Sequence, residues 1–302
     1  MNDAPRPAHR RALSLAVLGL LLVPTLAAAG LPGSQKKPFQ KAPSLRERVK
    51  SNPKTGTGKA GGKFRLTYAP VQDQDYREVR DLFKEAGLLE EAVQALNETF
   101  RIPKDIEVTL RECGEANAYY ESDSRRISLC YELVAYYADV FFTDAETDED
   151  QETAGEAVAG ATLFTLFHEL GHALIDVWDL PITGREEDAV DQLATIILLE
   201  GGEDGETAAL NGAASFWGEE EESEEGEEEE GELSFWDEHS LGEQRFYNIV
   251  CWSYGSNPEG LSDLVGDGED DWLPEARAGQ CPNEFARMAK AWDTLLSPYV
   301  RE

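Results

Sequence analysis

Two histidines and a glutamate within the segment HELGH, residues 168–172, are the first side chains whose types and spacing suggest chemistry. Residues four apart in a helix share a face, so the imidazoles of His168 and His172 would lie side by side, at the span that one zinc ion needs. Glu169 would be turned about 100° from His168 and could hold a water beside the metal. Gly171 leaves room for a neighbouring segment. The alternative is that both histidines make polar contacts inside a helix bundle.

A catalytic zinc site needs a third protein ligand and an open position, and the segment GREEDAVDQLATIILL, which begins at residue 184, offers candidates. Glu187 and Asp191 are four apart on one face of an amphipathic helix that we predict over about 186–199. We predict that Glu187 is the third ligand. We expect Asp191 to accept the ring N–H of a ligating histidine and so fix its tautomer. Asp188 is the rival ligand, and the plainer interpretation is that these acids favour a helix N-terminus.

The segments around these residues predict an α+β domain over residues 64–302. It would have a small, mostly antiparallel N-terminal sheet, a helical core that carries HELGH, and a helical C-terminal part. Alternation predicts strands in KFRLTYAP and DIEVTLREC, and a hairpin in NAYYESDSRRISLCYEL that turns at residues 122–124. Helical patterns occur in DYREVRDLFKEAGLLEEAVQALNETF, over about 155–176, in DEHSLGEQRFYNIVCWSYG and in PNEFARMAKAWDTLL.

The N-terminal segment predicts export. Basic residues precede an apolar run from residue 13 to residue 23, and a small-residue pattern follows at residues 27–29. We expect a signal peptide over residues 1–29 and delivery to the periplasm or the extracellular space. The apolar run is too short for a membrane span, and no span is expected after cleavage. Residues 30–63 are rich in Gly, Pro, Lys and Ser and predict a flexible basic linker.

The charge of the chain is strongly acidic, with a formal net charge of −33. Such a charge argues against nucleic acid and anionic membranes as partners, because both would repel it. Part of the charge is a run of glutamates that cannot form a core. This run predicts a disordered acidic insertion over about residues 200–234.

Four cysteines in the exported part indicate two disulfides, because an oxidising compartment favours their formation. The sequence allows three pairings, and proximity favours Cys113–Cys130 and Cys251–Cys281. The alternative is a cysteine metal site, but no C-x-x-C spacing occurs.

The metal motifs also carry a resemblance to known families. His168-Glu169-x-x-His172 followed by Glu187-x-x-x-Asp191 resembles the gluzincin metallopeptidases. The span of about 64–300 resembles more closely an uncharacterised bacterial family assigned as secreted zinc metallopeptidases. The matching segments are NAYY, CYEL, HELGHALID, LPITGREEDAVDQLAT, HSLGEQRFYNIVCWSYG and LPEARAGQC. The resemblance implies a zincin-like fold, one Zn²⁺ per chain and action on a peptide or protein substrate. The glutamate run departs from the family pattern.

The resemblance implies roles for residues outside the two metal motifs. NAYY resembles the edge strand of thermolysin-like enzymes, so Asn117 and Ala118 would hold the substrate backbone. His239 would donate a hydrogen bond to the oxyanion from a later helix, with Arg245 and Tyr247 as alternatives on that helix. The plainer interpretations are a simple hairpin strand and a solvent-facing histidine.

Two functional hypotheses follow from these residues. The first is a secreted zinc metallopeptidase in which Glu169 is the general base. The second is a non-catalytic envelope or interaction protein whose metal site is structural or lost. The intact Glu169 favours the enzyme.

Overall fold

A four-stranded sheet formed within residues 64–130 lies against helices that make up most of the other residues that the structure describes. The computed structural model describes residues 61–143, 145–217, 237–268 and 271–301. The strands are β1 (Phe64–Tyr68), β2 (Ile106–Arg111), β3 (Ala118–Glu121) and β4 (Arg126–Cys130). The helices are α1 (Gln74–Ala86), α2 (Leu88–Thr99), α3 (Tyr131–Phe142), α4 (Asp148–Trp178), α5 (Glu186–Leu199), α6 (Glu203–Ala214), α7 (Gly242–Ser256), α8 (Glu275–Ala278) and α9 (Cys281–Leu296). The described chain is therefore an α+β domain, as predicted. The predicted signal peptide and most of the predicted linker lie outside the described residues.

The sheet is mixed, with the strand order β1-β2-β4-β3. The pairs β1–β2 and β2–β4 are parallel, and only β3–β4 is antiparallel. The expectation of a mostly antiparallel sheet was therefore wrong. β1 and β2 are parallel because α1 and α2 return the chain to the end of the sheet at which β1 began, as parallel strands require. Within the described residues, β3 has a neighbour on one side only, so its other edge is open.

The segment predicted as one N-terminal helix forms two helices, α1 and α2. They are separated at Gly87, whose φ of 68° lies in the left-handed region that glycine adopts without steric cost. The N–H of Gly87 donates to the main-chain oxygen of Phe83 and closes the end of α1. Residues 131–142 form α3, which the hairpin prediction did not include.

The long helix α4 runs through the centre of the domain and packs against α3, α5 and α6. It begins at Asp148, earlier than the predicted start near residue 155, because Thr147 and Asp150 form a reciprocal capping box. The acidic first turn also complements the helix dipole. The helix is long and apolar enough to span a membrane, but 78% of its most apolar window is buried inside the fold. It is therefore the core helix of this domain.

Residues 203–214 form helix α6, so the prediction of disorder was wrong for this part of the acidic segment. The helix presents buried small residues to α4, and the fit is close. A Cβ added to Gly212 would lie 2.4 Å from Cγ of Phe164. The glutamate run at residues 219–232 lies outside the described residues, and its predicted disorder remains a prediction.

Both predicted disulfides are present. Cys113–Cys130 ties the segment after β2 to the end of β4, and Cys251–Cys281 ties α7 to α9. The described residues contain no free cysteine, so the alternative of a cysteine metal site is excluded. The two disulfides are consistent with an oxidising, exported location.

Candidate metal centre

The two histidines of HELGH lie side by side on the buried face of α4, as the spacing predicted. The ring centroids of His168 and His172 are 5.1 Å apart. Glu169, between them in sequence, is buried, as is His168. Two buried polar side chains and the partly buried His172 on an apolar core helix are costly unless they have a common partner. Helix α5 provides that partner.

Glu187, in the first turn of α5, directs its Oε2 atom towards both histidines. This oxygen is 3.1 Å from Nε2 of His168 and 3.4 Å from Nε2 of His172. It is buried and, within the described part of the chain, has no hydrogen-bond partner of normal geometry. Ligands that bind one zinc ion tetrahedrally at about 2.1 Å lie about 3.4 Å apart. The two imidazoles and this carboxylate therefore form a donor set that fits a single zinc ion.

Gly171 allows α5 to approach α4 closely enough for this arrangement. A Cβ added at Gly171 would lie 2.6 Å from Cγ1 of Val190, which is itself fully buried. Val190 follows Glu187 by three residues and shares its side of α5. Any side chain at residue 171 would therefore push the third candidate ligand away from the histidines.

We expect Gly171→Ala to destabilise the protein by about 1–3 kcal/mol, because the buried contact with Val190 becomes overpacked. Metal affinity should fall as well, since α5 carries Glu187. The measurements are thermal unfolding and a metal titration. Gly184→Ala is the matched control, because a Cβ at Gly184 meets no atom within 4 Å. Adding Val190→Ala to Gly171→Ala should restore part of the loss, and a Gly171→Ala protein with unchanged metal affinity would contradict the packing argument.

The ring nitrogens that face away from the centre are bound by carboxylates. His168 Nδ1 lies 2.7 Å from Oδ1 of Asp191, and His172 Nδ1 lies 2.8 Å from Oε1 of Glu186. Each carboxylate would keep the proton on Nδ1 and leave Nε2 free to bind a metal. The location expected for Asp191 agrees with the structure, whereas Glu186 was not foreseen.

The rival ligand Asp188 does not point into the centre. Its Oδ1 accepts a hydrogen bond of 2.7 Å from Oγ of Ser240. This bond ties α5 to the segment before α7. Glu187 is therefore the better candidate for the third ligand.

Arg245 of α7 lies behind the centre and not over it. Its guanidinium donates to both oxygens of Asp191, at 2.9 and 2.8 Å. Burial of Asp191 would raise the pKa of its carboxyl, but the charge of Arg245 and the hydrogen bond with His168 outweigh burial and hold the pKa below its usual range. Arg245 is therefore placed to fix Asp191, and through it His168. It is not placed as the oxyanion donor that we had considered. The other alternative, Tyr247, packs its ring against Trp217.

His239 lies at the centre, although it is not on a helix as predicted. Helix α7 begins at Gly242, and His239 belongs to the segment that precedes it. Its Nε2 is 3.2 Å from Oε2 of Glu187. Asp237 Oδ1 lies 3.0 Å from His239 Nδ1, and Arg185 donates to the main-chain oxygen of His239 at 3.0 Å. The structure thus brings a third imidazole beside the candidate ligands.

The electrostatics of the centre suit a base beside a metal. Burial raises the pKa of Glu169, and the charges of His168 and His172 oppose that rise only in part. Burial would lower the pKa of His172, but Glu187 and Glu186 outweigh it and raise that pKa to about 9. Metal binding at neutral pH would therefore release a proton from His172.

The comparison with protein families agrees with this geometry. Residues 68–296 match a family described as "Putative metallopeptidase". The chain belongs to this family. No curated protein and no solved structure matched the chain. Membership supports a metal at the centre, and the residues that would hold it are His168, His172 and Glu187.

The two residues that were predicted to bind substrate lie at the open edge of the sheet. Ala118 begins β3, and Asn117 precedes it, with its Oδ1 accepting the N–H of Ala118 at 2.8 Å. Within the described part of the chain, neither residue forms a hydrogen bond with the candidate ligands. Their role in holding a peptide remains a prediction.

Sequence reasoning missed Glu186 and Asp237, which bind histidines of the centre, and the contact of Tyr120 with Asp176. Asp237 could have been found, because an aspartate two residues before a histidine commonly bonds the chain two residues on. Glu186 was treated as part of an acidic helix start. The Tyr120 contact depends on how the sheet edge meets α4, which no local pattern encodes.

Proposed function

We propose that the protein is a secreted zinc-dependent metallopeptidase that hydrolyses peptide bonds with Glu169 as general base. The observation that carries the proposal is the convergence of His168, His172 and Glu187 from two packed helices, beside a buried carboxylate that binds none of them. A structural zinc site would close all four positions with protein ligands, whereas this donor set leaves one position for water. Membership in a family described as metallopeptidases supports the same conclusion.

In the proposed mechanism, the chain binds the peptide, orients it and moves one proton. Zinc, when bound by His168, His172 and Glu187, would supply Lewis-acid polarisation of water and of the peptide carbonyl. Glu169, with its raised pKa, would take the proton of the attacking water and deliver it to the departing amine nitrogen. The Nε2–H of His239 would donate to the carbonyl oxygen as negative charge grows there.

The substrate backbone would add to the open edge of β3, with Asn117 and Ala118 contributing hydrogen bonds. We infer a zincin-like arrangement from this layout, in which an edge strand meets the helix that carries both histidines. We also propose export by the N-terminal segment, which the two disulfides support.

The alternative function is a non-catalytic metal-binding envelope protein on the same fold. The buried Glu169 argues against it, because an ionisable side chain on a core helix destabilises a protein that has no use for it. The two functions differ in whether peptide bonds are cleaved.

The experiment uses the exported chain without residues 1–29, with its disulfides intact. We expect one zinc ion per chain by elemental analysis, cleavage of a mixed peptide library by mass spectrometry, and loss of cleavage after chelation with recovery on adding zinc. Metal removal should also lower thermal stability, because an ion that binds only the folded state stabilises it. Tight binding of one metal ion with no cleavage in the library would favour the binding protein.

A further inference from the structure

Asp176 is an exposed carboxylate on the same face of α4 as the candidate ligands. It follows His168 and His172 by eight and four residues, a spacing that keeps all three side chains on one side of a helix. Its Oδ2 accepts a hydrogen bond of 2.7 Å from the hydroxyl of Tyr120. Within the described part of the chain, no lysine or arginine forms an ion pair with it. The negative charge of Asp176 is therefore available to a ligand.

Tyr120 connects Asp176 to the reactive end of the centre. Its hydroxyl donates to Asp176, and its main-chain N–H is close enough to Glu169 to oppose the rise in the pKa of that carboxyl. In the β3–β4 ladder, Cys130 donates to the main-chain oxygen of Asn117. The alternation of antiparallel pairing then turns the main-chain groups of Tyr120 away from β4, towards the open edge. A peptide added at this edge would pass both carboxylates.

The spacing along α4 sets the distance between Asp176 and the reacting bond. Glu169 and Asp176 are seven residues apart, which corresponds to roughly 10 Å along a helix. An extended peptide covers that distance in about three residues. A side chain about three residues from the scissile bond would therefore reach Asp176.

The charges around the centre favour the binding of a cation beside Asp176. The side chains of Glu186 and Asp237, which hold the outer nitrogens of two histidines, are 48% and 43% exposed. Of the nearby arginines, Arg245 is paired with Asp191, whereas Arg185 donates to a main-chain oxygen, which leaves its positive charge in place. A mouth lined by exposed carboxylates attracts cations and repels acidic chains.

Arg125, in the turn before β4, forms no ion pair with Asp176 in the described part of the chain. Its Nε donates to the main-chain oxygen of Asp105, at 3.4 Å.

We propose that Asp176 is a specificity-determining residue that selects peptides with a lysine or arginine about three residues from the scissile bond. The inference rests on the proposed function, because it deepens the substrate class of the same centre. The chemistry is an ion pair between a carboxylate at the rim and a basic side chain, on a peptide held by the edge of β3.

The test measures binding and cleavage separately. Zinc-loaded Glu169→Gln protein is titrated with fluorescent peptides that carry one lysine three residues before or after the central bond, and with glutamine counterparts. We expect a lysine peptide to bind about fivefold more tightly than its glutamine counterpart. This preference should shrink at high salt. It should disappear when Asp176→Asn is added, since asparagine can still accept the Tyr120 hydrogen bond.

Asp179→Asn is the matched control for the loss of one charge near the end of α4. Asp179 is exposed and has a left-handed φ of 51°, which asparagine also tolerates. The lysine preference should survive this substitution. The inference is overturned if neither peptide binds, if no lysine preference exists, or if Asp176→Asn leaves the preference intact.

Cleavage by the unmodified protein separates the two proposals. Equal cleavage of lysine and glutamine peptides would overturn the selectivity and leave the peptidase standing. A lysine preference in binding with no cleavage of any peptide would overturn the peptidase and leave the charge selection standing.

Discussion

Replacing Glu169 with glutamine is expected to lower kcat for peptide hydrolysis by about a thousandfold, while the bound metal stays at one ion per chain. Glutamine has nearly the same shape, but it cannot take a proton from water. The folded structure should persist, because the carboxylate is not one of the three convergent ligands. The measurements are steady-state kinetics, elemental analysis and thermal unfolding on the same preparation.

Glu156→Gln provides a control on the same helix. Glu156 is exposed on α4, so its replacement removes one charge without touching the centre. It should leave kcat within about twofold, since surface substitutions have small effects. Peptidase activity that survives Glu169→Gln would contradict the proposed role of this residue, whatever its metal content.

Arg245→Met is expected to destabilise the protein by about 3–5 kcal/mol, because it leaves the charge of Asp191 buried without its cation. The side chain of Asp191 is 3% exposed and that of Arg245 is 12% exposed, so water cannot replace the lost hydrogen bonds. Metal affinity should also fall by about 10–100-fold, since Asp191 orients His168. Chemical denaturation and a competitive zinc titration measure the two effects.

Arg287→Met is the matched control for Arg245→Met, because it also replaces one arginine with methionine. Arg287 is exposed on α9, and its replacement should change stability by less than about 0.5 kcal/mol. The pair Arg245→Met and Asp191→Leu should be more stable than Arg245→Met alone, because no buried charge is left unpaired. An Arg245→Met protein of normal stability and metal affinity would show that Arg245 does not support the centre.

The candidate site was predictable where it depends on helical periodicity. His168 and His172 share a face because they are four residues apart, and Glu187 and Asp191 do so for the same reason. The close packing of the two helices was indicated by Gly171, whose missing side chain makes room for Val190. These features are local, so the amino-acid order encodes them directly.

Features that depend on distant segments were missed or predicted wrongly. The strand directions follow from how α1 and α2 connect β1 to β2, which alternation within each strand does not record. Arg245 was considered as an alternative oxyanion donor, but its partner is Asp191, and this partnership depends on how α7 packs on α5. The start of α4 was predicted too late, near residue 155, because the capping of the preceding acidic residues by Thr147 was not recognised.

The most direct test is anomalous diffraction at the zinc edge from crystals of the zinc-loaded protein. We predict one strong peak per chain, within about 2.2 Å of Nε2 of His168, Nε2 of His172 and a carboxylate oxygen of Glu187. A peak bound by other side chains, or no peak between these three residues in protein that has been saturated with zinc, would contradict the proposed metal centre.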